Sequence, residues 1–147
     1  MNIVRIQNAP FDAGAEIAAL TAGTSDVGAV VTFTGHVRGE DGVVSLTLEH
    51  YPGMTEREIA RHVAAAQARW PLLGTTIVHR IGTLSMREAI VLVAVASRHR
   101  DAAFAAAEFL MDYLKARAPF WKQEHRNGEA AWVEGKDSDA QRVKRWT

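Results

Sequence analysis

Val44, Leu46 and Leu48 interleave with Ser45, Thr47 and Glu49, the two-residue period of a half-buried strand. The preceding run, Gly28 to Arg38, is rich in β-branched residues and predicts another strand. The Gly/Asp loop between the two runs predicts that they pair as a hairpin. Near the start, Asn2 to Gln7 predicts a short strand. A Pro10-Phe11-Asp12 turn then leads into an alanine-rich helix reaching about Ala22, with Asp12 as its N-cap. Thr55-Glu56-Arg57-Glu58 has the capping-box form, a hydroxyl followed three residues later by a carboxylate, and predicts a helix from Thr55 to about Trp70, ahead of Pro71.

Further along, Thr75 to Ile81 and Ala89 to Ser97 predict strands, the second apolar enough to be buried on both faces and therefore central in its sheet. From Arg100 to Ala116, Phe104, Ala107, Leu110 or Met111, and Leu114 recur at helical spacing, and Pro119 forbids continuation. Phe120 to Arg126 and Glu129 to Glu134 flank Asn127-Gly128, the dipeptide suited to the two positive φ angles of a tight hairpin. Asp137 to Trp146 predicts a short basic helix capped by Asp137. With neither repeat nor linker, the interleaved elements predict one α+β domain over residues 1–147.

Composition narrows the chemistry. Seventeen basic residues balance seventeen acidic ones, which argues against a surface that binds nucleic acid or anionic membrane as a whole. The absence of cysteine removes thiol nucleophiles, persulfide relays, Cys-based zinc sites and iron–sulfur clusters. The longest apolar run, Ala89 to Ala96, falls far short of the ~20 residues that span a bilayer, and Met1 to Gln7 lacks a signal-peptide core, so a cytoplasmic protein is expected. The six histidines form no metal-ligand spacing, and no Gly-rich phosphate loop is present, so neither a metal nor a nucleotide cofactor is expected.

Three places could carry chemistry. In Ser97-Arg98-His99-Arg100 a buried strand hands over to a helix, so free N–H groups and cationic side chains would converge as an anion site; solvated arginines and a turn-filling His99 are the plainer reading. Arg38, behind Gly35, could add a cation to such a pocket or be an edge-strand residue without a task. The third place is Lys115 and Lys122, two of only four lysines beside thirteen arginines, which stand either side of Pro119. A chain reversal there would bring two ammonium groups together, and a lysine's pKa falls readily near other cations or on burial. The alternative has Lys115 offsetting the helix dipole and Lys122 pointing outward on its strand.

The segments Gly28-Ala-Val-Val-Thr-Phe-Thr-Gly-His-Val-Arg38, Leu46-Thr-Leu-Glu-His-Tyr-Pro-Gly-Met54, His79-Arg-Ile-Gly82, Ser97-Arg-His-Arg100 with Ala103-Phe104, and Asp112-Tyr-Leu-Lys115 through Pro119-Phe-Trp-Lys122-Gln-Glu124 resemble the large catalytic subunit of molybdopterin synthase. The resemblance covers nearly the whole chain. It implies a fold of α/β hammerhead type, with a mostly antiparallel sheet, flanking helices and a C-terminal β-hairpin. The activity it implies is a sulfurtransferase that converts cyclic pyranopterin monophosphate into molybdopterin without a cofactor of its own. The sulfur would arrive as a thiocarboxylate on the C-terminal Gly-Gly of a small ubiquitin-like subunit, and two large subunits would pair within a heterotetramer. That arrangement would let a chain without cysteine transfer sulfur.

By the same resemblance, Lys115 and Lys122 are the expected catalytic residues, and His36, Val37, Arg38, His99, Arg100, Gln123 and Glu124 join them in binding substrate. Lys144-Arg145-Trp146 resembles the family's ending and is expected at the neighbouring subunit or its substrate site. His36 stands where the family commonly has lysine, Ser85-Met86-Arg87-Glu88 lacks the glycine usual in that turn, and the loop Gly39 to Gly42 is short. Two competing readings are a non-catalytic dimeric scaffold for a ubiquitin-like partner and an anion-binding regulatory module using Arg38, His99 and Arg100 alone.

Overall fold

The computed structural model describes residues 1–133 and 135–147. In chain order the elements are β1 (Asn2–Gln7), α1 (Ala13–Thr21), β2 (Ala29–His36), β3 (Ser45–His50), α2 (Met54–Arg69), β4 (Leu72–Arg80), β5 (Gly82–Ser85), β6 (Ala89–Ser97), α3 (Arg100–Ala116), β7 (Phe120–Arg126), β8 (Glu129–Val133) and α4 (Asp137–Lys144). They form two four-stranded sheets, ordered β1-β4-β6-β2 and β5-β3-β7-β8, in which only the β1–β4 pair is parallel.

The apolar run of β6 is explained by its place inside the first sheet, covered on both sides. Val91, Val93 and Val95 pack with Ile59, Val63 and Ala66 of α2 and with Ala106, Ala107, Phe109 and Leu110 of α3. Ala94 and Ala96, on the opposite face, meet Leu20 of α1. A third cluster of Val37, Leu48 and Leu84 joins the two sheets. Among the described residues no helix is long and apolar enough to cross a membrane.

Several sequence expectations are corrected here. β2 and β3 are not a hairpin: β2 pairs with β6, while β3 pairs with β5 and β7 in the other sheet. Between them the chain runs beside the β5–β6 turn, where Val37 N–H donates to Glu88 O (3.0 Å) and Arg87 N–H to Val37 O (2.9 Å). Those bonds and the burial of Val37 carry the segment from one sheet to the next. The short strand β5 lies in what the sequence suggested was only a connection, and it pairs with β3 through Ser45 to Leu48.

The expected Thr55–Glu58 capping box does not form: α2 starts two residues earlier with Gly53 as N-cap, which has no side chain to cap with, and only the return bond is made, from Gly53 N–H to Glu56 Oε1 (3.1 Å). Gly53 has φ +82, a conformation glycine adopts without a Cβ penalty. Thr55 is instead wholly buried. Phe104 is an exposed member of the helical pattern, and Lys136, not Asp137, is the N-cap of α4. Asp12 caps α1 as expected, accepting from Ala15 N–H (3.1 Å), and Asn127 and Gly128 (φ 41 and 85) turn the β7–β8 hairpin. The expected end of that second strand, Glu134, lies outside the described residues.

Candidate active site

Residues of both sheets and the end of α3 line a cavity of about 490 Å³. Alternation along β7 puts Phe120, Lys122, Glu124 and Arg126 on its wall. Gln123 falls on the opposite strand face, in register with Thr47 and Trp132, and is not part of the lining. From α3 come Met111, Leu114 and Lys115. The chain then reverses through Ala118 and Pro119, so Lys115 and Lys122 reach the same space from two elements. Thr55 fixes this reversal: its Oγ1 donates to Pro119 O (3.2 Å) and accepts from Tyr51 N–H (3.1 Å).

The electrostatics follow from that convergence. Burial is the largest influence on Lys122 and holds its ammonium below the ordinary lysine pKa; the charge of Lys115 pushes in the same direction. A lysine in that state releases and regains a proton more easily than a solvated one. Further along the β7 wall Glu124 is paired with Arg126 (3.2 Å).

Two other expected binding residues stand at the rim. Arg38 lines the cavity, and its guanidinium, largely open to solvent, pairs with Glu40 (3.1 Å), an exposed contact a stronger anion could displace. His36 also lines it, but both ring nitrogens have partners in the chain, Nδ1 at Arg87 O (2.9 Å) and Nε2 at Thr34 Oγ1 (3.2 Å). The turn that lacks the usual glycine is thereby held with Arg87 at φ 74. Val37 does not reach the cavity; its side chain is 2% exposed, in the cluster with Leu48 and Leu84.

His99 and Arg100 are not brought to the lysines. They are exposed at the start of α3, where His99 is the N-cap and its N–H meets Ser97 Oγ (3.3 Å). Fifteen residues of helix separate Arg100 from Lys115, about 22 Å at 1.5 Å per residue. Arg145 and Trp146 lie elsewhere again, packed within their own chain. The buried Asp112 carboxylate accepts from Arg145 Nε (3.0 Å), Arg145 Nη2 (2.6 Å) and Trp146 Nε1 (2.7 Å).

Sequence reasoning missed Phe33, His79, Lys136 and Asp139, all of which line the cavity. Phe33 carried a signal, since it shares a strand face with Gly35. His79 carried one only through the resembling segment His79-Arg-Ile-Gly82, and Lys136 and Asp139 carried none, because the start of α4 meets the lysines only through the tertiary fold. Among the described residues no group of three or more His, Asp or Glu could hold a metal ion.

The family model described as MoaE protein matches residues 6–117. The molybdopterin synthase catalytic subunit of Mesorhizobium japonicum is 61% identical over 97% of this chain and 92% of its own length. Among solved structures, the molybdopterin biosynthesis MoaE protein of Burkholderia ambifaria superposes with a TM-score of 0.87 at 44% identity, covering 99% of this chain and 98% of that one. Molybdopterin synthase from Staphylococcus aureus gives a TM-score of 0.81 at 34% identity over 88% and 95% of the two chains.

Proposed function

The chain belongs to the MoaE protein family, and from that premise we propose that it works as the catalytic subunit of molybdopterin synthase, a sulfurtransferase of molybdenum cofactor biosynthesis. The observation that carries the reading is the meeting of Lys115 and Lys122 on one cavity wall, with the charge of Lys122 disfavoured by burial and by its neighbour. The cavity's volume is in the range of small-molecule sites, roughly 300–1,000 Å³. Its proposed substrate is cyclic pyranopterin monophosphate.

The sulfur donor in this reading is the C-terminal Gly-Gly thiocarboxylate of a small ubiquitin-like subunit, whose tail enters the cavity. The chain has no cysteine to carry sulfur itself, which favours a donor on another chain. The thiocarboxylate sulfur first bonds to a pterin carbon, giving a thioester. Water then adds to its carbonyl, negative charge develops on that oxygen where the Lys115 ammonium is placed to stabilise it, and the C–S bond breaks to leave sulfur on the pterin and a carboxylate on the carrier. Lys122, whose proton is loosened by burial and by the charge of Lys115, serves as the acid and base that moves protons while the pterin's fused ring opens. Arg38 offers the substrate phosphate a charge-assisted bond at the rim.

His99 and Arg100 contribute to the same substrate only from a second copy, because one chain holds them a helix length away from its own lysines. A homodimer within a heterotetramer meets that requirement. The test is reconstitution: the purified chain, the thiocarboxylated small subunit and cyclic pyranopterin monophosphate, assayed for dithiolene formation with wild type, Lys115→Ala and Lys122→Ala. Turnover by wild type and its loss in both variants, with folding and partner binding intact, is the expected result. No turnover by wild type under conditions where a known synthase works overturns the reading.

A further inference from the structure

The ring of His79 bridges the two sheets at the cavity wall. It is the penultimate residue of β4, and its imidazole stacks on Phe120, the first residue of β7, with centroids 3.8 Å apart and planes 15° from parallel. Its Nδ1 lies 2.8 Å from the Arg80 carbonyl oxygen. A carbonyl only accepts, so Nδ1 carries the hydrogen and Nε2 is left with a lone pair. The ring is half-buried, and among the described residues Nε2 neither has a hydrogen-bond partner nor is sealed from solvent. His79 is one of the residues lining the cavity, and an acceptor there that has no partner in the chain has capacity for a donor on a ligand.

We propose that His79 Nε2 recognises the pterin by accepting a hydrogen bond from one of its ring or amino N–H groups, with Phe120 and the Arg80 carbonyl fixing the imidazole in the accepting tautomer. The proposal rests on the function proposed above and names a group that reads the substrate's heterocycle, where Lys115, Lys122 and Arg38 handle charge. Burial is the main reason the imidazole stays neutral, pushing its pKa down to about 4; the Arg80 carbonyl opposes this, and Lys122, Lys115 and His50 reinforce it. A protonated ring would present a donor and add a third positive charge beside the lysines. The neutral ring therefore discriminates for N–H donors, and a ligand that covers Nε2 without donating to it loses affinity, because the acceptor is then cut off from water and left unpaired.

Two substitutions separate the atoms involved. His79→Asn keeps an amide N–H near the Arg80 carbonyl and has no atom at the Nε2 position, whereas His79→Gln reaches that position with an acceptor oxygen. Both are compared with wild type for binding of cyclic pyranopterin monophosphate and of inorganic phosphate by calorimetry, and for KM and kcat in the reconstituted synthase. The expected result is a loss of about tenfold in pyranopterin affinity for His79→Asn, with a matching rise in KM, unchanged phosphate binding, and recovery to within about threefold in His79→Gln.

Wild-type pyranopterin affinity in His79→Asn overturns the proposal. So does an equal loss in both variants, or a loss shared by phosphate, since either marks a disturbed fold. A change confined to kcat and its pH profile overturns it too, because the imidazole would then serve a lysine and not the substrate. Failure of the wild-type chain to bind or turn over the pyranopterin is a different result, and it removes the proposed function itself.

Discussion

Lys115 ends α3 and Lys122 sits on β7, yet the two ammonium groups share one cavity wall and the charge of the first disfavours the charge of the second. Thr55, from a third element, ties down the Pro119 carbonyl between them. The pair is thus a product of the chain reversal at Pro119, and several measurable consequences come from how it is held.

Removing the charge of Lys115 raises the pKa of Lys122. A like charge disfavours the ammonium form, so Lys115→Met relieves part of the depression; burial, the larger cause, remains, and the value stays below that of an ordinary lysine. The chain has only four lysines, so reductive ¹³C-methylation followed by NMR titration resolves them one by one. The Lys122 signal is expected to titrate at higher pH in Lys115→Met than in wild type. An unchanged midpoint would show that the two charges do not communicate.

Thr55→Val removes the hydroxyl that bonds Pro119 O and Tyr51 N–H while keeping its shape. Both partners lose a bond, and the expected cost is about 1–3 kcal/mol, read as a lower midpoint in urea with an unchanged m-value. Because the bond holds the reversal between the lysines, kcat in the reconstituted assay is expected to fall more than about tenfold, since small misplacements of reacting groups are costly. Loss of stability with full kcat would separate Thr55 from the lysine geometry.

Much of the architecture was legible because local chemistry and global fold agree. Asp12, Asn127-Gly128 and the span of α3 are read directly from capping, turn and helical patterns, and the apolar run of β6 announces a strand covered on both faces. The β2–β3 pairing misled because two neighbouring strands separated by a short loop usually pair, whereas here backbone bonds from Val37 to the β5–β6 turn lead the chain into another sheet. Thr55 and Glu58 matched a capping box, but the helix starts at Gly53, whose N–H is held by Glu56, and the buried hydroxyl of Thr55 serves a contact 64 residues away. The lysine pair was visible from residue choice around Pro119. His79 was marked only as part of the resembling segment His79-Arg-Ile-Gly82, with no role attached, and Lys136 and Asp139 were not marked at all, since nothing near them in sequence points to a cavity.

Asp112→Asn is expected to release the C-terminal residues. The buried carboxylate takes three hydrogen bonds from Arg145 and Trp146, and an amide cannot accept them all. Bonds to a charged group contribute about 1.5–3 kcal/mol each when partly buried, and Arg145 is 43% exposed, which places the loss toward the low end. Thermal unfolding should shift down by about 2–4 °C for each kcal/mol lost. Amide exchange over residues 140–147 should rise, and wild-type protection there would contradict this account of the tail.

The separation of His99 and Arg100 from the lysines gives the sharpest test of how many chains build one site. If a second copy supplies the α3 N-terminus to the cavity, a chain carrying His99→Ala and Arg100→Ala and a chain carrying Lys122→Ala are each inactive as homodimers. In their heterodimer, the cavity that retains Lys122 faces the intact His99 and Arg100 of the other chain, while the second cavity lacks both sets. One working site in two is restored, and random pairing of equal amounts makes half the dimers mixed, so about a quarter of wild-type turnover should return after subunit exchange. If instead each chain completes its own cavity, no pairing of these variants restores a site, and the mixture stays as inactive as its components.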